Sequence, residues 1–209
     1  NNDADRLLIF GGLLPHQQLL EQVKNLKIGQ AIVCEDELLV ARVNQSQCQA
    51  ILVGESGFLE KQEAPENTEV VSKPYHLVAL NKRELINDFD LITRNRASEK
   101  LSPSVKIVGA HKQPDLINRI FIEPGAVVED VTLNPSEGPV YIGRDAVVME
   151  GSLIRGPFAM CEHAQVNMGS KIYGGTTLGP WCKAGGELNN ALLLGYSNKG
   201  HDGFLGDSV

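Results

Sequence analysis

The chain has 209 residues, enough for one large domain or two small domains with a buried core. Its net charge of -7 and sequence pI near 5.3, with neither a basic tract nor interleaved aromatics, exclude an electrostatic case for binding nucleic acid or an anionic membrane. No apolar run is long enough to span a bilayer, and the first residues lack the features of a signal peptide.

The first 95 residues predict part of an α/β domain. A strand is predicted at 7–10, Pro15 opens a helix, and apolar residues at helical spacing predict a longer helix over 82–95. The polar stretch 55–68 predicts a loop. Three further short apolar runs are strand candidates: 31–34, 38–41 and 51–53. No glycine-rich phosphate loop of either common type is present.

The later part of the chain carries a six-residue repeat. One apolar series recurs at every sixth position: Ile142, Val148, Ile154, Met160, Val166, Ile172, Leu178 and Ala184. A second series, mostly of small residues, follows each of these by four positions: Ala146, Ser152, Phe158, Ala164, Ser170, Thr176, Cys182 and Leu188. Residues four apart on a strand point to the same side, so both series should face inward. The repeat predicts a parallel β-helix.

The repeat is imperfect before residue 142. Ile122 and Val128 are in phase with each other, but Asn134 breaks the series. The turn-forming residues of 134–139 predict an enlarged corner there.

The repeat stops after Ala184, and His201 lies in the glycine-rich stretch that follows, 195–204. A histidine can take a proton near neutral pH, as amine acylation requires. The alternative is a solvated loop histidine. His163 is interpreted as a solvated turn residue, and Trp181 as a packing residue or a subunit contact.

The stretch from Ile142 to Val209 resembles the acetyltransferase domain of the bifunctional GlmU-type enzymes. The specific matches are Gly200-His201 and Leu205-Gly206-Asp207, where that family has a Gly-His pair and a Leu-Gly-Asp run. The resemblance implies a left-handed β-helix, acetyl-CoA as cosubstrate and glucosamine-1-phosphate as the expected acceptor. It also implies that His201 is the general base and that the protein forms a homotrimer.

The rest of the chain resembles a variant branch of that family found in Bacteroidetes-like bacteria. The resemblance rests on 13–15, 86–94 and the β-helix start at 107–109. It implies a partial sugar-nucleotidyltransferase domain at residues 1–95 and a hexapeptide-repeat β-helix at 96–209. We expect the chain to be a segment of a longer protein whose β-helix is cut off in mid-coil. Any nucleotidyl transfer by the full-length parent would use Mg²⁺.

Three positions depart from the family pattern. The family has two lysines where this chain has Asn189 and Asn190, and a tyrosine where it has Phe204. These positions help to hold the sugar phosphate in the family, so by resemblance all three are candidate substrate-binding residues. An uncharged amide pair loses charge-assisted contacts to a phosphate, and the acceptor could therefore differ.

Three functions remain open. The first is acetyl transfer to an amino-sugar 1-phosphate in sugar-nucleotide biosynthesis, with small-molecule partners only. The second is sugar-1-phosphate nucleotidyl transfer with UTP or dTTP, in which the β-helix serves for oligomerisation. The third is a noncatalytic scaffold. Four cysteines without CxxC spacing indicate free thiols and no zinc site, which favours a cytoplasmic protein with no metal site in this segment.

Overall fold

The computed structural model describes residues 4–209. The chain divides into two compact units, Asn1–Ser72 and Lys73–Val209. The sequence-based limits 1–95 and 96–209 concern similarity to known domains and stay a prediction.

The first unit is a four-stranded mixed sheet with two helices. The order of its strands is β1-β3-β2-β4, with β4 parallel to β2 and the other pairs antiparallel. Its elements are β1 (Arg6–Ile9), α1 (Gln17–Asn25), β2 (Gln30–Cys34), β3 (Glu37–Val43), α2 (Gln45–Leu52) and β4 (Glu60–Glu63).

Alternation along β2 gives this sheet two apolar faces. Ile32 packs with Leu19 of α1 on one face, whereas Ala31 packs with Cys48 of α2 on the other. Successive side chains of a strand point to opposite sides, so each helix covers one face of the sheet.

Two predictions for this unit are wrong. The strand candidate 51–53 instead includes the end of α2, because Asn44 caps that helix and forms a reciprocal capping box with Gln47. The predicted loop 55–68 contains β4, a polar strand that pairs with β2 at the edge of the sheet. Backbone hydrogen bonds hold this strand, so its polar sequence gave no signal.

The second unit consists of one long helix and a parallel β-solenoid of about five turns. The helix, α3 (Pro74–Thr93), begins with Pro74 in its first turn, eight residues before the predicted start at residue 82. A 3₁₀ helix spans Pro114–Arg119. The solenoid strands are β5 (Lys106–Ile107), β6 (Ile120–Ile122), β7 (Val127–Val128), β8 (Thr132–Asn134), β9 (Val140–Ile142), β10 (Val147–Val148), β11 (Leu153–Arg155), β12 (Phe158–Met160), β13 (Gln165–Val166), β14 (Lys171–Ile172), β15 (Thr176–Leu178), β16 (Lys183–Ala184), β17 (Glu187–Leu193), β18 (Asn198–Lys199) and β19 (Phe204–Ser208).

The solenoid core confirms the predicted repeat. All sixteen residues of the two series are almost fully buried, with at most 2% of any of them exposed. They stack between coils because Val148 pairs with Val166, which pairs with Ala184, in parallel register. The enlarged corner is confirmed as well: five residues, 135–139, separate the paired positions Asn134 and Val140, but only 156–157 do so one coil later.

A buried amide joins α3 to the solenoid. Asn81 donates a hydrogen bond to the Gly175 carbonyl at 2.7 Å and accepts one from the Thr177 hydroxyl at 2.9 Å. Both polar ends of this side chain are therefore satisfied, which makes its burial tolerable.

A second buried polar group lies in the first coils. The carboxylate of Glu123, only 4% exposed, accepts hydrogen bonds from Arg96 and from the Tyr141 hydroxyl, both at 2.7 Å. The Arg96 guanidinium also lies over the Phe121 ring, which stacks on Tyr141. This network ties the segment after α3 to the solenoid.

We expect Ile154→Ala to lower the free energy of unfolding by about 2–5 kcal/mol, because it leaves a cavity between coils. The matched control is the neighbouring Leu153→Ala, whose side chain is 49% exposed and should cost less than about 1 kcal/mol. Urea unfolding followed by the fluorescence of Trp181, the single tryptophan, measures both. Equal losses would contradict the inward assignment of Ile154.

The Glu123 network predicts a loss of stability at high pH. Burial, and then the hydrogen bond to Glu123, raise the pKa of Tyr141 from 10.0 to about 12. The folded state therefore holds this proton more tightly than the unfolded chain, and the resulting stability declines as pH rises from 10 to about 12. Urea unfolding across this range should show a smaller decline for Tyr141→Phe. The exposed-residue control Tyr173→Phe should follow the wild type, and a Tyr141→Phe curve that does the same would contradict the argument.

Candidate functional site

The last coil departs from the spacing of the others. Val166 and Ala184 occupy equivalent positions 18 residues apart, but the next residue in this column, Lys199, follows after only 15. The shortening includes β17, which runs through a corner in a continuous strand, with Asn190 in the left-handed region at φ +49°. The predicted break in the repeat after Ala184 is thereby confirmed.

His201 lies in the corner directly above the one that is shortened. The equivalent corners of the two regular coils, 149–152 and 167–170, have four residues each. Lys199 pairs with Ala184 and Phe204 pairs with Glu187, so the lower corner has two residues, 185–186, and the upper corner has four, 200–203. Within residues 4–209 the exposed His201 imidazole has no hydrogen-bond or ion-pair partner. The side chain is therefore open to a reactant from outside.

The structure brings Asn189 and Phe204 to the outer surface beside this corner. Asn189 pairs with Gly206, and Phe204 pairs with Glu187. Both pairs flank the inward-facing Leu188, so their side chains face outward. The Phe204 side chain is 65% exposed, and its ring covers the backbone of Gly206. These two candidate residues thus share one face of the last two coils.

Asn190 does not share that face. Its side-chain amide donates a hydrogen bond to the Asp207 carboxylate at 2.7 Å. This bond joins the corners of neighbouring coils, so it gives Asn190 a structural contact within the protein.

Lys199 is a residue of this region that sequence reasoning missed. It continues the inward column of Val128, Val148, Val166 and Ala184, where every earlier residue is buried and apolar. Its ammonium donates to the carbonyls of Gly185 at 2.7 Å, His201 at 2.7 Å and Gly203 at 2.8 Å. The signal in the sequence would have been a lysine at an inward position, but the 15-residue spacing concealed it.

Asn167 makes a related contact from two coils below. Its amide donates to the Gly200 carbonyl at 2.7 Å, past Gly185 in the intervening coil. A Cβ at Gly185 would lie 2.7 Å from that carbonyl oxygen and 3.1 Å from the Asn167 amide nitrogen. The absence of a side chain at Gly185 opens this path.

A second cluster lies along a different corner of the solenoid. His163, Trp181 and Tyr196 all have positive φ, at +57°, +60° and +64°. The His163 ring stacks on Trp181 with centroids 4.2 Å apart, and its Nε2 atom lies 4.0 Å from Asp145. His163 is therefore a corner residue, as predicted, and Trp181 packs on it.

The cysteines next to this corner do not form an activated nucleophile. Burial, followed by the proximity of Cys182 and Glu162, raises the pKa of the Cys161 thiol. Cys182 is buried and donates to the Leu194 carbonyl at 2.9 Å. A thiol kept protonated is a poor nucleophile.

No group of three or more His, Cys, Asp or Glu side chains within residues 4–209 is arranged to hold a metal ion. In the same part of the chain, none of the helices combines the length and apolar character needed to cross a membrane.

A protein-family model described as "Sugar nucleotidyl transferase" matches residues 1–97, slightly less than half of the chain. No curated protein matches the chain. Residues 1–97 are thus similar to sugar nucleotidyl transferases, and the protein combines this nucleotidyltransferase-like α/β region with a parallel β-solenoid. The combination supports a sugar-nucleotide transferase in general terms.

Proposed function

We propose that the solenoid transfers an acetyl group from acetyl-CoA to an amino-sugar 1-phosphate, with glucosamine-1-phosphate as the expected acceptor, as in GlmU-like enzymes. The observation that carries this proposal is the exposed imidazole of His201, which has no hydrogen-bond or ion-pair partner among residues 4–209, in the four-residue corner of the last coil. The similarity of residues 1–97 to sugar nucleotidyl transferases supports a sugar phosphate as the substrate class.

In this reaction the acceptor nitrogen attacks the thioester carbonyl of acetyl-CoA. The imidazole of His201 accepts the proton that the nitrogen loses as the C–N bond forms. The C–S bond then breaks, and the departing thiolate of CoA takes up a proton. Backbone amides of neighbouring coils would stabilise the negative charge that develops on the carbonyl oxygen.

The surface beside His201 would contact the acceptor through neutral groups. Asn189 offers a hydrogen-bonding amide, and the exposed ring of Phe204 offers an apolar face for a sugar ring. Asn190 has one amide hydrogen bond to Asp207 and would contribute through its remaining polar atoms. In this proposal the protein is a homotrimer with the CoA arm between subunits.

We expect His201→Ala to slow thiol release from acetyl-CoA and glucosamine-1-phosphate by about 10²- to 10⁴-fold, the usual contribution of a general base. The matched control is His111→Ala, which removes another exposed histidine of the second unit and should keep the wild-type rate. A thiol assay at neutral pH measures both variants. An undiminished rate in His201→Ala would exclude this residue as the base.

The alternative is nucleotidyl transfer with a noncatalytic solenoid. The family match to residues 1–97 and the structural bond between Asn190 and Asp207 favour it. It predicts pyrophosphate release from a sugar 1-phosphate and UTP or dTTP with Mg²⁺, at a rate that His201→Ala leaves unchanged. A coupled pyrophosphate assay makes the measurement. Absence of both thiol and pyrophosphate release would favour a scaffold.

A further inference from the structure

We propose that Lys199 and Asn167 are positioning residues that hold the His201 corner against the two preceding coils. The inference rests on the proposed role of His201 as the base. Neither residue needs to touch a substrate, because both act on the backbone of residues 200–203.

Lys199 continues a column of inward-facing residues that is otherwise apolar. Lys199 is half-buried, and an ammonium that is partly withdrawn from water is stabilised when its three N–H groups find acceptors. Here the carbonyls of Gly185, His201 and Gly203 provide three acceptors within 2.8 Å. One acceptor belongs to the coil below and two belong to the corner, so a single charge fastens the corner to the solenoid.

Asn167 adds a second attachment at the start of the same corner. Its bond to the Gly200 carbonyl crosses a whole coil, and this is sterically possible because Gly185 has no side chain. The carbonyls of Gly200, His201 and Gly203 are therefore all fixed from inside or below. Within residues 4–209, Asp202 is the one residue of this corner whose carbonyl accepts no hydrogen bond from Lys199 or Asn167.

The corner needs this support because it has two more residues than the corner below it. The extra residues lie between β18 and β19, and Gly203 has a φ of +120°. A general base must be held close to its productive position, and a displacement of about 1 Å can cost about 10²-fold in rate. Fixing the carbonyl of His201 itself restricts where its imidazole can lie.

The decisive variant is Lys199→Met. It keeps a side chain of similar length and restores an apolar residue to the inward column, but it removes all three N–H donors. We expect the free energy of unfolding to change little, kcat for acetyl transfer to fall about 10- to 100-fold, and the KM for acetyl-CoA to stay within about twofold of the wild type. A purely structural role would instead lower stability and leave the kcat of the folded protein unchanged.

Two further variants test the same corner by different changes. Asn167→Ala removes one bond, and Gly185→Ala places a methyl group against the Gly200 carbonyl. Both should reduce kcat in the same direction. The matched controls are Lys183→Met, an exposed lysine of β16, and Gly57→Ala, where a Cβ meets no atom within 4 Å.

NMR relaxation of the ¹⁵N-labelled protein gives a readout that does not need activity. Backbone order parameters of residues 200–203 should be near 0.85 in the wild type and below about 0.6 in Lys199→Met, with β16 unchanged. If kcat and the order parameters of Lys199→Met match the wild type while His201→Ala is inactive, the positioning role is overturned and the proposed function stands. If His201→Ala retains the wild-type rate of acetyl transfer, His201 is not the base, and the positioning role of Lys199 and Asn167 is overturned with it.

Discussion

The stacking of apolar side chains along the inside of the solenoid is the constraint on which the rest of the structure depends. Val148, Val166 and Ala184 lie above one another because their strands pair in parallel register, and each is almost completely buried. Parallel strands lie about 4.8 Å apart, so this register also fixes the height of every outward-facing side chain. The position of a surface group such as Asn189 or Phe204 is therefore set by its inward neighbour, Leu188 or Leu205.

The candidate site lies where the repeat fails, next to a corner that is shorter than in the other coils. The corner after Ala184 has only two residues, 185–186, whereas the equivalent corners of the two preceding coils, 149–152 and 167–170, have four residues each. The chain is shortened by two residues at 185–186 and by one residue within β17, and the corner 200–203 then returns to four residues. The column of inward-facing residues continues into the last coil, but its next member is Lys199. The exposed histidine thus lies directly above the position at which the coil is shortened.

The sequence alone was sufficient where one local pattern decided the structure. Sixteen inward positions followed from the six-residue repeat, and the corner at 134–139 followed from its turn residues. The sequence was insufficient where contacts between residues far apart in the chain determined the structure. The run 51–53 looks like a strand, but the capping of α2 at Asn44 made most of it helical. The contacts of Lys199 could not be foreseen because they depend on a 15-residue spacing that appears only when strands are paired.

The placement of Lys199 also bears on how an anionic acceptor would be recognised. An ammonium has three donors, and all three are bound to backbone carbonyls. It therefore has no donor left for a phosphate, although it lies two residues from His201. Asn189 and Phe204 on the adjacent face carry no charge. Under the proposed function, the charge in this corner serves to order the protein, and charge neutralisation of the acceptor's phosphate must come from groups outside the Asn189 and Phe204 surface.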